Sequence, residues 1–143
     1  MSYNKTMPTV QTITPRQTRY ATAIAHALAK RGHATNAELL ADIRSDFPEV
    51  SSTTVHRVTG RLKDRGIIGA APATASGAER FDASPDPHHH FMCSMCSNIC
   101  DIPQTNESTH VMQQLKELSG KCAIAGTLTM LGTCHGCAYK EET

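Results

Sequence analysis

Two cysteine pairs of one form, Cys93-Ser-Met-Cys96 and Cys134-His-Gly-Cys137, are separated by 37 residues, and they constrain the fold more than any other feature. Two cysteines three apart on a tight turn can aim both thiolates at one ion, and two such turns complete a tetrahedral zinc with Zn–S bonds of about 2.3 Å. The gap is longer than that of a compact zinc ribbon. The spacing therefore predicts an ion that ties the first strand of a domain to its tail. A disulfide or a redox CxxC is the other chemistry open to these residues, although a thioredoxin-like site needs one pair beside a βαβ pattern. Cys100 and Cys122 have no such partner; they read as small buried hydrophobes without an assigned role.

A chain of 143 residues holds one ordinary domain or two small ones, each with a modest core. Charge favours two. Residues 1–80 carry eleven Lys/Arg against six Asp/Glu, a net of +5, and residues 81–143 carry three against seven, a net of −4. Two modules with different partners are expected, divided as 1–80, with an N-terminal extension over 1–13, and 81–143. No run of 18 apolar residues exists and the start MSYNKTMPTV has no signal-peptide core, so the expectation is a cytoplasmic protein with no membrane partner. In that compartment cysteines point to metal before disulfides.

In the first module Tyr20, Ile24, Ala27 and Leu28 fall at i, i+4, i+7 and i+8, which predicts an amphipathic helix from Thr14 to the stop at Gly32. A second helix is predicted from Thr35, whose capping box with Glu38 precedes Leu39, Leu40, Ile43 and Phe47, and it is expected to close at Pro48. In a third, Ser51 or Ser52 is the N-cap, Val55, Val58 and Leu62 face inward, and Arg57, Arg61, Lys63 and Arg65 face out before Gly66. Ile67 and Ile68, the turn-prone ATASGA and ERFD then read as a two-stranded hairpin. Together these predict a winged helix-turn-helix that offers its third helix to a DNA major groove, with Thr54, His56 and Arg57 as contacts. A small helical domain with a solvated basic face is the plainer reading of the same pattern.

The second module opens on three consecutive histidines, His88, His89 and His90. In a strand, alternate side chains share a face, so His88 and His90 point together and His89 points away. With Asp82 before them and Asp101 on the next strand, they form a nitrogen and oxygen set suited to Fe²⁺, Mn²⁺ or Zn²⁺. A histidine run also occurs as polar surface filler. HFMCSMC, SNICDI and GTLTMLGTC read as strands. NESTHVMQQLKELSG reads as a helix with Val111, Met112, Leu115 and Leu118 on one face, ending at Gly120.

The order TPRQTRYA, GHAT, SSTTVHRVTGRLKDRGII, ERFD, HHHFMCSMC and CHGC resembles the ferric uptake regulator family from about Thr14 to Cys137. The resemblance implies an α+β, homodimeric, metal-responsive repressor that is not an enzyme. Its N-terminal winged helix would bind a near-palindromic double-stranded DNA operator, and a small α/β dimerisation domain would carry the four-cysteine zinc. The resemblance also implies a regulatory Fe²⁺ or Mn²⁺ at the hinge, on His33 of GHAT, Asp82, His88, His90 and Asp101. Iron-sensing members tend to have glutamate where this chain has Asp101, and the set resembles the peroxide-sensing branch. An iron- or zinc-responsive homeostasis repressor is the alternative. The family usually has tyrosine where His56 stands. The late histidine of an additional metal site falls near Gly126 here, which leaves His89, Glu107 and His110 as its candidates.

Two other function classes fit less of the pattern. A zinc hydrolase or deaminase would need an open zinc position with a general-base glutamate, as in HxE with PCxxC; neither stretch is present. A zinc-stapled interaction module without regulated binding would leave the nitrogen and oxygen set unexplained.

Overall fold

The computed structural model describes residues 15–120 and 126–140, so the N-terminal extension and Cys122 lie outside the described residues. The elements run α1 (Pro15–Arg31), β1 (His33–Thr35), α2 (Asn36–Ile43), α3 (Ser52–Asp64), β2 (Gly69–Ala71), β3 (Arg80–Asp82), β4 (His89–Cys93), β5 (Ile99–Ile102), α4 (Asn106–Leu118), β6 (Thr129–Gly132) and α5 (His135–Ala138). They make two antiparallel or mixed sheets, ordered β1-β3-β2 and β5-β4-β6.

Helix α1 buries Tyr20, Ile24, Ala27 and Leu28, the stripe its periodicity sets, and Gly32 at φ 79° ends it. In α2 both halves of the Thr35–Glu38 capping box are made. This helix stops at Ile43, five residues short of the expected proline. From there turns take over, with the Phe47 amide donating to the Ile43 carbonyl and the Val50 amide to the Phe47 carbonyl, and Phe47 packs edge-on to Tyr20. Ser51 caps α3, which buries Val55, Val58, Thr59 and Leu62 and leaves Arg57, Arg61 and Arg65 exposed. These helices close over Phe81 of β3 and Ile68 to form one apolar core. Burying such a side chain contributes about 1.5–3 kcal/mol.

The hairpin starts at Gly69 rather than Ile67. Ile68 is drawn into the core while Ile67 stays exposed, because the Ile67 and Ile68 amides both turn back onto the Leu62 carbonyl at the end of α3. Gly69 is also where the Ser84 carbonyl comes within 2.5 Å of the position a Cβ would take. Strand β1 has no counterpart among the sequence expectations. Three residues are too few for alternation to register, yet it pairs His33 with Asp82 across β3.

In the second sheet β4 pairs antiparallel with β5 and parallel with β6, the latter setting Cys93 opposite Gly132. Parallel pairing requires a crossover, here made through β5 and α4. Thr105 caps α4 and Gly120 at φ 62° follows it. Its apolar face is formed as the sequence predicts, but Val111, Leu115 and Leu118 are exposed, as are Met130 and Leu131 of β6. Among the described helices none is long and apolar enough to cross a membrane.

Candidate metal centres

The parallel register of β4 and β6 brings the turns that follow them to the same end of the sheet. Cys93 closes β4 and Cys134 is the residue before α5. One Sγ from each of Cys93, Cys96, Cys134 and Cys137 lies within 4.8 Å of the others. The Cys96 and Cys134 sulfurs are 3.7 Å apart, far from the ~2.05 Å of a disulfide. Two thiolates bound to one zinc at about 2.3 Å with tetrahedral angles stand about 3.8 Å apart. The donor set fits a closed tetrahedral site.

Backbone amides dominate this turn. The Cys134 amide donates to Cys93 Sγ at 3.3 Å, and the backbone N–H groups of Cys96 and Cys134 hold the Cys93 thiol down to about 6. Cys137, hydrogen-bonded to its neighbours Cys134 and Cys96, is pushed up to about 12. Four thiols this close resist successive ionisation unless a cation shares the charge. The Cys93 amide to the Asn98 carbonyl and the Ser97 amide to the Cys93 carbonyl close the loop, with Ser97 in the left-handed region at φ 61°.

The second cluster joins the two sheets. His33 comes from β1 and Asp82 from β3; His90 comes from β4, His88 from the residue before it, and Asp101 from β5. One donor atom from each lies within 4.8 Å of the rest. Asp82 Oδ2 is 3.2 Å from His33 Nε2, 2.9 Å from His88 Nε2 and 2.9 Å from His90 Nε2. Asp101 Oδ1 is 2.9 Å from His33, 2.9 Å from His88 and 3.4 Å from His90. Two donors held at right angles by one ion at about 2.1 Å stand about 3.0 Å apart. Asp82 and His90 are buried, while the Asp101 side chain is 51% exposed.

The tautomers decide what can sit between these groups. His88 Nδ1 faces the Asp86 carbonyl at 2.7 Å, so Nδ1 carries the hydrogen and a neutral ring must turn the Nε2 lone pair toward two carboxylates. Only a proton or a metal cation removes that repulsion. Burial acts to lower the His88 pKa, but the Asp86 carbonyl, the Asp101 hydrogen bond and the Asp82 charge outweigh it and raise it above its usual value. Asp101 is likewise opposed by burial, yet His88 and His33 hold its carboxyl below the ordinary range. Asp82 is oriented by the Ser84 amide, which donates to Oδ1 at 2.8 Å and leaves Oδ2 to the histidines.

His89 points away, as strand alternation requires, and its Nδ1 accepts from the Leu128 amide at 2.9 Å, fixing the approach to β6. Glu107 and His110 are exposed on α4. The two clusters found among the described residues do not include these three, so the structure does not bring the candidates for an additional site together.

On α3, His56 and Arg57 are exposed and Thr54 is half-buried. Thr54 Oγ1 is engaged with Ser51 Oγ at 2.9 Å, and His56 Nδ1 lies 3.3 Å from Asn36 Nδ2. Sequence reasoning missed Asn36, which is buried and accepts from Thr59 at 2.8 Å; nothing in the local pattern of α2 marks it as the support of a residue on α3.

The family model whose description reads "Ferric uptake regulator family" matches residues 13–124. The peroxide-responsive repressor PerR of Staphylococcus saprophyticus is 29% identical over 115 residues, covering 79% of this chain and 75% of that protein. The solved structure of the Helicobacter pylori ferric uptake regulator Fur, described as having three functional metal binding sites, has a TM-score of 0.69 and 20% identity over 84% of this chain and 80% of its own. The Campylobacter jejuni peroxide stress regulator has a TM-score of 0.67 and 18% identity over 85% and 91%. At such identities the structures speak for the fold.

Proposed function

The chain belongs to the ferric uptake regulator family, and from that premise we propose that it is a metal-dependent, DNA-binding transcriptional repressor that acts as a homodimer in the cytoplasm. The observation that carries this reading is the cluster of His33, Asp82, His88, His90 and Asp101: its donors come from both sheets, so whatever they hold fixes the angle between them. In this reading the winged helix occupies residues up to Asp82. A division after β3 rather than at residue 80 is supported by the extent of that strand, Arg80–Asp82, which it keeps whole. Residues from His88 onward form the metal-binding dimerisation unit.

Zinc is assigned to Cys93, Cys96, Cys134 and Cys137, and Fe²⁺ or Mn²⁺ to the five-residue set. A bound divalent ion supplies positive charge for two facing carboxylates and, when it is Fe²⁺, a one-electron reductant for peroxide. The chain's own residues do the rest. Asp82 and Asp101 repel each other and also oppose the Nε2 lone pair of a neutral His88, so the cluster calls for positive charge between them. Without a cation that opposition is relieved only by protonating the histidines or by separating the sheets, which releases the winged helix from its closed angle.

The exposed Val111, Leu115, Leu118, Met130 and Leu131 support pairing of two copies through α4 and β6. A two-fold pair of winged helices favours a near-palindromic operator, with Arg57 on phosphate, His56 nearer the bases and Thr54 beside them. Peroxide sensing is the finer reading, supported by aspartate rather than glutamate at position 101 and by the likeness to a peroxide-responsive repressor. An iron-homeostasis repressor is its rival. DNA binding of the full-length protein loaded with Fe²⁺ or Mn²⁺ and then given equal peroxide, with mass spectrometry of the tryptic peptides, tests it. Oxygen gained on His33 or His88 with iron alone, together with loss of DNA binding, supports peroxide sensing. Unmodified histidines, with DNA binding that follows iron concentration, contradict it, and oxidation confined to the cysteines indicates a thiol switch instead.

A further inference from the structure

We propose that Arg80 and Ser97 are positioning residues that fasten the β2–β3 hairpin to the cysteine turn, so that the four-cysteine centre helps to set the nitrogen and oxygen centre. Three observations meet at Ser97. Its carbonyl accepts from Arg80 Nη1 at 2.8 Å, its hydroxyl accepts from the Ala75 amide at 3.0 Å, and among the described residues it is the one non-glycine at positive φ, 61°. That conformation favours glycine, and the serine hydroxyl is what glycine could not provide.

The hairpin end is otherwise closed on itself. The Thr74 amide donates to the Ala78 carbonyl and the Gly77 amide to the Thr74 carbonyl, and the Ala78 amide donates to Thr74 Oγ1. Ala75 keeps its amide for Ser97. Arg80 is buried, at 5% exposure, and burial holds its pKa below the usual guanidinium value. A buried cation aimed at a backbone carbonyl is a directed contact rather than a solvated charge.

The position of Arg80 gives the contact its consequence. Residues two apart on a strand share a face, so Arg80 and Asp82 leave β3 on the same side. Asp82 meets His88 and His90; Arg80 meets the residue after Cys96. The same Ser97 donates its amide to the Cys93 carbonyl, closing the turn that carries two thiols. Strand β3 is therefore held at two adjacent points, one at each centre. Loosening the cysteine turn frees the Arg80 end of β3 and lets Asp82 drift from the imidazoles.

This rests on the reading that the five-residue set takes a divalent ion, and one of two readouts is independent of it. The full-length, zinc-loaded protein is compared with Arg80→Met, Arg80→Lys and Ser97→Gly. Amide exchange at Ala75, measured without added metal, should speed up roughly three- to tenfold in Arg80→Met and in Ser97→Gly, with zinc content unchanged. Mn²⁺ affinity by calorimetry should fall by a similar factor in Arg80→Met and be largely restored in Arg80→Lys, which can still donate to the carbonyl. Faster exchange with no Mn²⁺ binding even in the unsubstituted protein would sink the five-residue assignment and leave the fastening standing. Exchange and Mn²⁺ affinity both unchanged in Ser97→Gly and Arg80→Met overturn the proposal. So does equal loss in Arg80→Met and Arg80→Lys. If Arg80→Met fails to fold, Ser97→Gly decides alone, since glycine adopts the same φ.

Discussion

The two halves of this chain are held together by different means. The first half closes Tyr20, Ile24, Leu28, Leu39, Val55, Leu62 and Phe81 into a core from which water is excluded. In the second half the buried apolar residues among those described are Met92 and Cys93, while α4 and β6 leave theirs in solvent. Hydrophobic burial accounts for the one; so small a core in the other calls for help from an ion, a partner chain, or both. That is what small domains with modest cores require. The lesson concerns placement of the proposed function: the half that carries its own core would supply the winged helix together with His33 and Asp82, and the other half would bring His88, His90 and Asp101 to the same sensor.

The strongest way to break this contrast is to remove one ligand from the sulfur centre. Cys96→Ser should abolish stoichiometric zinc and unfold the second half, since structural zinc contributes on the order of 10 kcal/mol of apparent folding free energy. NMR shift dispersion from α1 to α3 should persist. A variant with full zinc and an unchanged second half would show that Cys96 is not a ligand.

The reciprocal change is smaller. Leu28→Ala, at a fully buried position, should cost about 2–5 kcal/mol and lower the melting temperature of the winged helix while zinc stays bound. Loss of zinc in step with that melting would mean that the two halves fold as one unit.

A third effect is pH, where the two states of the nitrogen and oxygen centre should move in opposite directions. The pKa of His88 is raised in the metal-free fold, so its contribution is fully present below the unfolded value of about 6.5 and is lost as pH rises through the higher folded value. Asp101, held low, contributes above its unfolded value of about 3.9 and loses that contribution as pH falls through the folded one. Metal requires neutral histidine, so Mn²⁺ affinity should instead fall as pH is lowered past the His88 value. Calorimetric titration across pH 5.5–8 checks this; affinity flat with pH would remove His88 from the ligand set.

The smallest expected effect lies on the surface of the first half, where Arg31 Nε meets Asp42 Oδ2 at 2.6 Å with the pair about a third exposed. Asp42→Asn should cost no more than about 1 kcal/mol, and less at high salt. A larger, salt-independent loss in urea unfolding would mean that this pair does more than its exposure implies.

Legibility in the sequence followed the same division between local and long-range. Helices α1, α3 and α4 are set by apolar period and caps, and the sulfur centre by two CxxC spacings, so both were readable locally. His88 and His90 were readable as partners from strand alternation. His33 was not: it lies 68 residues from Asp101 on a three-residue strand, and the family resemblance alone pointed to it. Helix α2 ended early because turns after Ile43 satisfied the backbone that a longer helix would have used. The Arg80–Ser97 contact depends on how two sheets meet, which no local pattern encodes.

The central claim is that one divalent ion at His33, Asp82, His88, His90 and Asp101 couples the two sheets to DNA. It is tested most directly by measuring Mn²⁺ affinity of the zinc-loaded protein with and without its operator duplex, found beforehand by selection from a random-sequence DNA pool. Linkage requires that DNA tighten Mn²⁺ binding by the same factor as Mn²⁺ tightens DNA binding, expected at roughly 5- to 150-fold, and that His33→Ala abolish both. Equal Mn²⁺ affinity in the presence and absence of the duplex would contradict the account.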